Sequence, residues 1–361
     1  KENIQHRLPE YIENAQLFFD QEKLNAHYTY SFLNGVKDSV KANLDSTAGL
    51  DLNPLFKLFD NIIVTYNKEK LTDSKGEFTP NRTWLADWRS VHSAIVDVVK
   101  ELLTDVDSKT VIAFDKYRDK VFKTLASLLA YPDPIFADEQ IESAKMTTKS
   151  PGEDAYVSDP FTIAINSVRG RAFEAFILFV YQDGKKLKDD KNKISDGCKE
   201  LYESVLKNET TRGIMFLYGH NIPSFFYRDK SWLKGLLSQI FPTQKDKASL
   251  YSASWEGYIS NNLYQEIFFD DDFQKLYERG LEIEDDESLK QKHFVGLDEG
   301  LATHLALAFI HYNEFNFESS LFKKFLGEGS DKQLSKFVSF IGRSVINADN
   351  EQIDELLKTS P

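Results

Sequence analysis

Nearly every stretch of this chain longer than about a dozen residues places apolar side chains at spacings of three and four, the repeat of an amphipathic α-helix. Trp84, Trp88, Val91, Ile95, Val98, Val99 and Leu102 fall on one stripe. Phe114, Val121, Phe122, Leu125, Leu128 and Leu129 form the next, which stops ahead of Pro132 and Pro134. Earlier stripes run through Tyr11, Ile12, Ala15, Phe18 and Phe19, and through Tyr28, Phe32, Val36, Val40 and Leu44. Asn53 and Pro54 read as the cap and first residue of a helix reaching Tyr66. No alternating segment of useful length suggests a strand. With 17 Gly and 10 Pro in 361 residues, the chain also has little punctuation for tight β-turns.

The second half repeats the habit. Ser231 is placed to cap a helix carrying Trp232, Leu233, Leu236, Leu237, Ile240 and Phe241, which Pro242 ends. Further stripes follow: Ala248, Tyr251, Trp255, Tyr258 and Ile259, then Ile267, Phe269, Phe273, Leu276 and Leu281. The last are Leu297 to Tyr312, Leu334 to Val345, and Ile353 to Leu357. Helix pairs recurring about every 40 residues lie within the range of HEAT-like arrays. The expected fold is therefore all-α, an irregular, α-solenoid-like helical repeat. The Pro-, Thr- and Ser-rich stretch Tyr131 to Ser158 is the natural interruption, with a short helix near Asp138 to Lys145. It divides the chain into helical subdomains over 1–131 and 159–361 joined by a loop-rich connector over 132–158. Gly184 to Asp196 is a second, polar irregular stretch.

A net charge of −13, from 57 acidic and 44 basic residues, sets most of this surface against a phosphate backbone and makes nucleic acid an unsuitable partner. The densest basic run, Lys185, Lys186, Lys188, Lys191 and Lys193, is interrupted by Asp183, Asp189 and Asp190 and reads as a solvated loop. The single cysteine, Cys198, permits no internal disulfide and suits a reducing, cytoplasmic setting. The apolar runs fall well short of the roughly 20 residues that span a bilayer. Because the chain opens on Lys1 inside a helical pattern, it is expected to be a piece of a longer protein.

No nucleotide, cofactor or metal motif is legible. His304 and His311 are seven residues apart, two turns on a helix and too far to share one metal unaided. Asp270, Asp271 and Asp272 suggest a solvated surface rather than a cation site, and Gly327 to Gly329 a helix stop rather than a phosphate loop. The most unusual segment is Asp159 to Asp183. Asp159 and Pro160 look like a cap and first residue, and the helix beyond is apolar nearly all round, hence central. Its spacing puts Thr162, Asn166, Arg169, Gly170, Phe173 and Ile177 on one face. Asn166 and Arg169 then need buried partners, and Arg169 suits either the carbonyls of a neighbouring helix end or a carboxylate. A binding site around Asn166, Arg169 and Arg171 is the competing reading. His220, at a helix-to-loop junction, suits either a hydrogen-bonded junction or a further binding residue.

Asp159-Pro160, Asn166-Ser167-Val168-Arg169-Gly170, the run Trp232 to Phe241 and Trp255-Glu256-Gly257-Tyr258 together resemble the helical C-terminal regions of large bacterial defence proteins. The resemblance covers roughly 159–281. It implies a non-catalytic sensing or interaction arm that binds a partner protein, or further domains of its parent, while a signalling NTPase or sirtuin-like effector elsewhere in that parent does the chemistry. Exposed aromatic side chains would be its anchors. A helical enzyme built on Asn166, Arg169 and His220 is the alternative, and an oligomerisation domain a third.

Overall fold

The computed structural model describes residues 7–15, 24–42, 49–66, 86–106, 109–110, 112–136, 156–157, 159–189, 192–283, 290–291 and 296–347. Phe18, Phe19, Leu44, Trp84, the helix expected near Asp138, Lys191 and the stripe from Ile353 lie outside them. The fold is all-α, with seventeen helices among the described residues. Four two-residue strands accompany them. Asp105–Val106 (β1) pairs antiparallel with Lys109–Thr110 (β2), and Tyr156–Val157 (β3) pairs parallel with Lys290–Gln291 (β4). No helix among the described residues is long and apolar enough to cross a membrane.

The chain forms two compact units, each discontinuous in sequence. One comprises Lys1–Pro134 and Ala164–Val205, the other Ile135–Ile163 and Leu206–Pro361. The expected division into 1–131, 132–158 and 159–361 does not follow these units. Local composition marks where chain is irregular, whereas the unit to which a helix belongs depends on the core it completes.

The first unit holds α1 (Leu8–Glu13), α2 (Ala26–Ala42), α3 (Asn53–Tyr66), α4 (Trp88–Leu103) and α5 (Phe114–Leu129). The next helix, α6 (Pro160–Asn166), leads into α7 (Val168–Gly184), and α8 (Asp196–Lys207) follows. Asp87 caps α4 by accepting from the Ser90 N–H at 2.8 Å. The stripe Val91, Ile95, Val98, Val99 and Leu102 is then fully buried. α7 packs against both α4 and α5, which is why it is apolar on more than one face. Its polar edges are tied to α4 and to β1: Glu174 accepts from Lys100 of α4 at 2.6 Å, and Gln182 donates to Asp105 of β1 at 2.8 Å.

The continuous helix expected over Asp159 to Asp183 is broken at Ser167. Asp159 caps α6 as expected, accepting from the Thr162 N–H at 2.6 Å. Ser167, however, has extended backbone (φ −101, ψ 153) and caps a new helix by accepting from the Gly170 N–H at 3.1 Å. A Cβ on Gly170 would lie 2.0 Å from the Ala164 carbonyl oxygen, so the break needs glycine there.

The second unit contains α9 (Arg212–His220), α10 (Ile222–Phe226), α11 (Lys230–Ile240), α12 (Ala248–Ile259), α13 (Gln265–Phe268) and α14 (Asp271–Gly280). It is completed by α15 (Leu297–His311), α16 (Ser320–Glu328) and α17 (Asp331–Asn347). Its closest pair is α9 with α12, whose backbones approach through reciprocal glycines. A Cβ on Gly219 would sit 1.8 Å from the Ser254 carbonyl oxygen, and one on Gly257 2.1 Å from that of Phe216. Trp255, Phe268, Phe273 and Tyr277 form the buried centre. Among the principal pairings, α2 with α4 and α15 with α17 each skip one helix, and α9 with α12 skips two.

Three local expectations are corrected. Asp229, not Ser231, caps α11, accepting from the Trp232 N–H at 3.0 Å. The stripe Ile267 to Leu281 is two helices, separated where Asp270 caps α14. Asp270 is therefore no solvated residue: it is buried, and Lys230 and Lys234 converge on its carboxylate at 2.8 and 2.9 Å.

Candidate functional site

Asn166, Arg169 and Arg171 lie near one another in the first unit, and each has a separate set of partners. Asp133 is the local hub. Its carboxylate accepts from the Arg89 Nε at 2.7 Å and from the Val168 N–H at 2.8 Å, while its carbonyl accepts from the Arg169 N–H at 2.9 Å. Arg89 also donates to the Asn166 carbonyl at 2.9 Å. The Arg169 guanidinium donates to the carbonyls of Leu129 and Pro134, both at 3.1 Å, so of its two expected partner types these contacts are with carbonyls, one of them at the end of α5. Arg171 pairs with Asp97 on α4. Asn166 is exposed, and the break at Ser167 removes it from the buried face of Gly170, Phe173 and Ile177.

The same unit buries a carboxylate, Asp183, at the end of α7. Burial alone would raise its pKa, but hydrogen bonds from Arg118 and Ser195 hold it below the usual carboxylate range. Arg118 binds it in fork fashion, Nε at 2.6 Å and Nη2 at 3.0 Å. Cys198 lies beside it, and burial pushes its thiol up to about 12, which opposes thiolate chemistry at neutral pH.

His220 belongs to the second unit, where it ends α9. Its Nδ1 lies 3.2 Å from the Ser260 hydroxyl, and its ring stacks on Phe216 at 5.7 Å. Ser260 donates to the Gly257 carbonyl at 2.7 Å, so its oxygen accepts from His220 Nδ1–H. Asn261 binds both helix ends at once, donating to the His220 carbonyl at 2.9 Å and the Gly257 carbonyl at 3.1 Å. The junction reading of His220 describes this geometry.

A second histidine lies deeper. His304 is buried on α15, its Nε2 2.9 Å from the Asn261 carbonyl and its Nδ1 2.7 Å from the Tyr277 hydroxyl. A carbonyl only accepts, so the proton is on Nε2, and Nδ1 accepts from Tyr277. The Tyr258 hydroxyl, 3.4 Å from that of Tyr277, continues the chain. Burial lowers the His304 pKa to about 4, so the imidazole is neutral near pH 7 with both nitrogens engaged. His311 is exposed, and among the described residues no group of three or more His, Cys, Asp and Glu side chains converges as a metal would require.

Surface aromatics gather in the same unit. Tyr227 ends α10 and is 51% exposed; Tyr264 precedes α13 and is 36% exposed. Their rings meet edge to face, 6.0 Å apart at 71°. Burial first, then the Glu266 carboxylate and the hydroxyls of Tyr264 and Tyr312, raise the Tyr227 pKa. Tyr312 ends α15 and packs against Phe268 and Phe269 at 6.2 and 5.7 Å. No hydrogen bond to a described residue engages the hydroxyls of Tyr227, Tyr264 or Tyr312. Sequence reasoning passes over this group and over the Tyr258–Tyr277–His304 chain. Their members stand well apart in sequence at helix ends and buried positions, where periodicity carries no pairing information. Compared with known protein families, curated proteins and solved structures, the chain matches none.

Proposed function

We propose that this chain is a non-catalytic helical region through which a larger bacterial protein engages a partner protein, in antiviral defence. One observation carries the interaction reading: aromatic side chains stand exposed at helix ends of the second unit, Tyr227 and Tyr264 in contact with each other. Such rings combine large contact area with little conformational freedom to lose, which makes them effective interface anchors. The polar residues that an enzyme reading would use instead join helices, Arg169 to the end of α5 and His220 to Ser260. The defence setting rests on the resemblance over 159–281.

The test is affinity capture with the full chain from a bacterial lysate, followed by reconstitution from purified components. A saturable complex with Kd of about 10 µM or tighter is the expected result. The opposing result is reproducible turnover in a hydrolase and nuclease screen that His220→Ala abolishes, which would make the chain an enzyme.

A further inference from the structure

We draw no further inference here: the strongest candidate, the outer face of α17 on which Val338, Val345 and Ile346 stand exposed beside the open side of Gly342, is an apolar helix face, and nothing among the described residues shows what covers it.

Discussion

A methyl group on Gly219 would sit 1.8 Å from the Ser254 carbonyl oxygen, and backbone on both sides leaves no flexible atom to yield. Gly219→Ala should therefore cost about 3 kcal/mol, the upper range for overpacking, read as a lowered urea midpoint. Arg169→Ala removes two hydrogen bonds from a charged donor to the carbonyls of Leu129 and Pro134. A loss of about 2 kcal/mol in chemical denaturation is expected; unchanged stability would contradict the capping role. His304 makes stability depend on pH with a definite sign. Above pH 6.5 the imidazole is neutral in the folded and unfolded chain alike. As pH falls from 6.5 toward 4, the unfolded chain takes up a proton that the buried site refuses, so stability declines. Below pH 4 the decline from this group levels off, after a total of about 3 kcal/mol. His304→Gln keeps a donor for Asn261 and an acceptor for Tyr277 without a titrating proton. Urea unfolding of both proteins from pH 7 to pH 4 should show a shallower slope for the variant.

At the scale of the element, Asp229 and Ser231 are both capping residue types two positions apart ahead of the same apolar stripe. The structure assigns the cap to Asp229, so Asp229→Ala should destabilise by about 1 kcal/mol and Ser231→Ala by only a few tenths. Equal effects in thermal melts would refute that assignment. Helices with one buried stripe were largely legible from their residues: α5 begins and ends close to where the periodicity puts it, and α4 ends so, although it starts at Trp88 behind the Asp87 cap and not at Trp84. Periodicity failed where it had no contrast to read. Around Ser167 the chain is apolar on several faces, so a kink between α6 and α7 left no gap in the pattern. At Asp270 a carboxylate closed one helix and opened another without a Gly or Pro to announce it. Tyr28 matched the stripe of α2 by spacing yet stands 71% exposed, and Val338 matched that of α17 yet is 66% exposed, since a spacing rule cannot say how wide the covering neighbour is. The candidate site was legible in one respect: a helix end was one of the two partners expected for Arg169, the other being a carboxylate, and its guanidinium meets the Leu129 carbonyl. The contact between Tyr227 and Tyr264 was not, because Tyr227 follows two buried phenylalanines and nothing local distinguishes the ring that faces outward.

At the scale of the whole molecule, a helix belongs to the core it fills, not to the segment in which it is encoded. α7 packs on α4 and α5, although residues 135–163, which belong to the other unit, separate it from them in sequence. A fragment ending at residue 134 would retain α4 and α5 and lose the helix that covers both. It should show no cooperative transition in a thermal melt, in contrast to the full chain; a sharp two-state transition would mean that α7 is dispensable to that core. The interrupted path of the chain also has a consequence in time. On the ribosome, at roughly 5–20 residues per second, the stretch from 135 to 184, where α7 ends, takes about 3 to 10 s to make. Throughout that interval the faces of α4 and α5 that α7 will cover are already synthesised and open to whatever binds nascent apolar surface, so the first unit is completed late, by a segment that arrives after part of the second has begun.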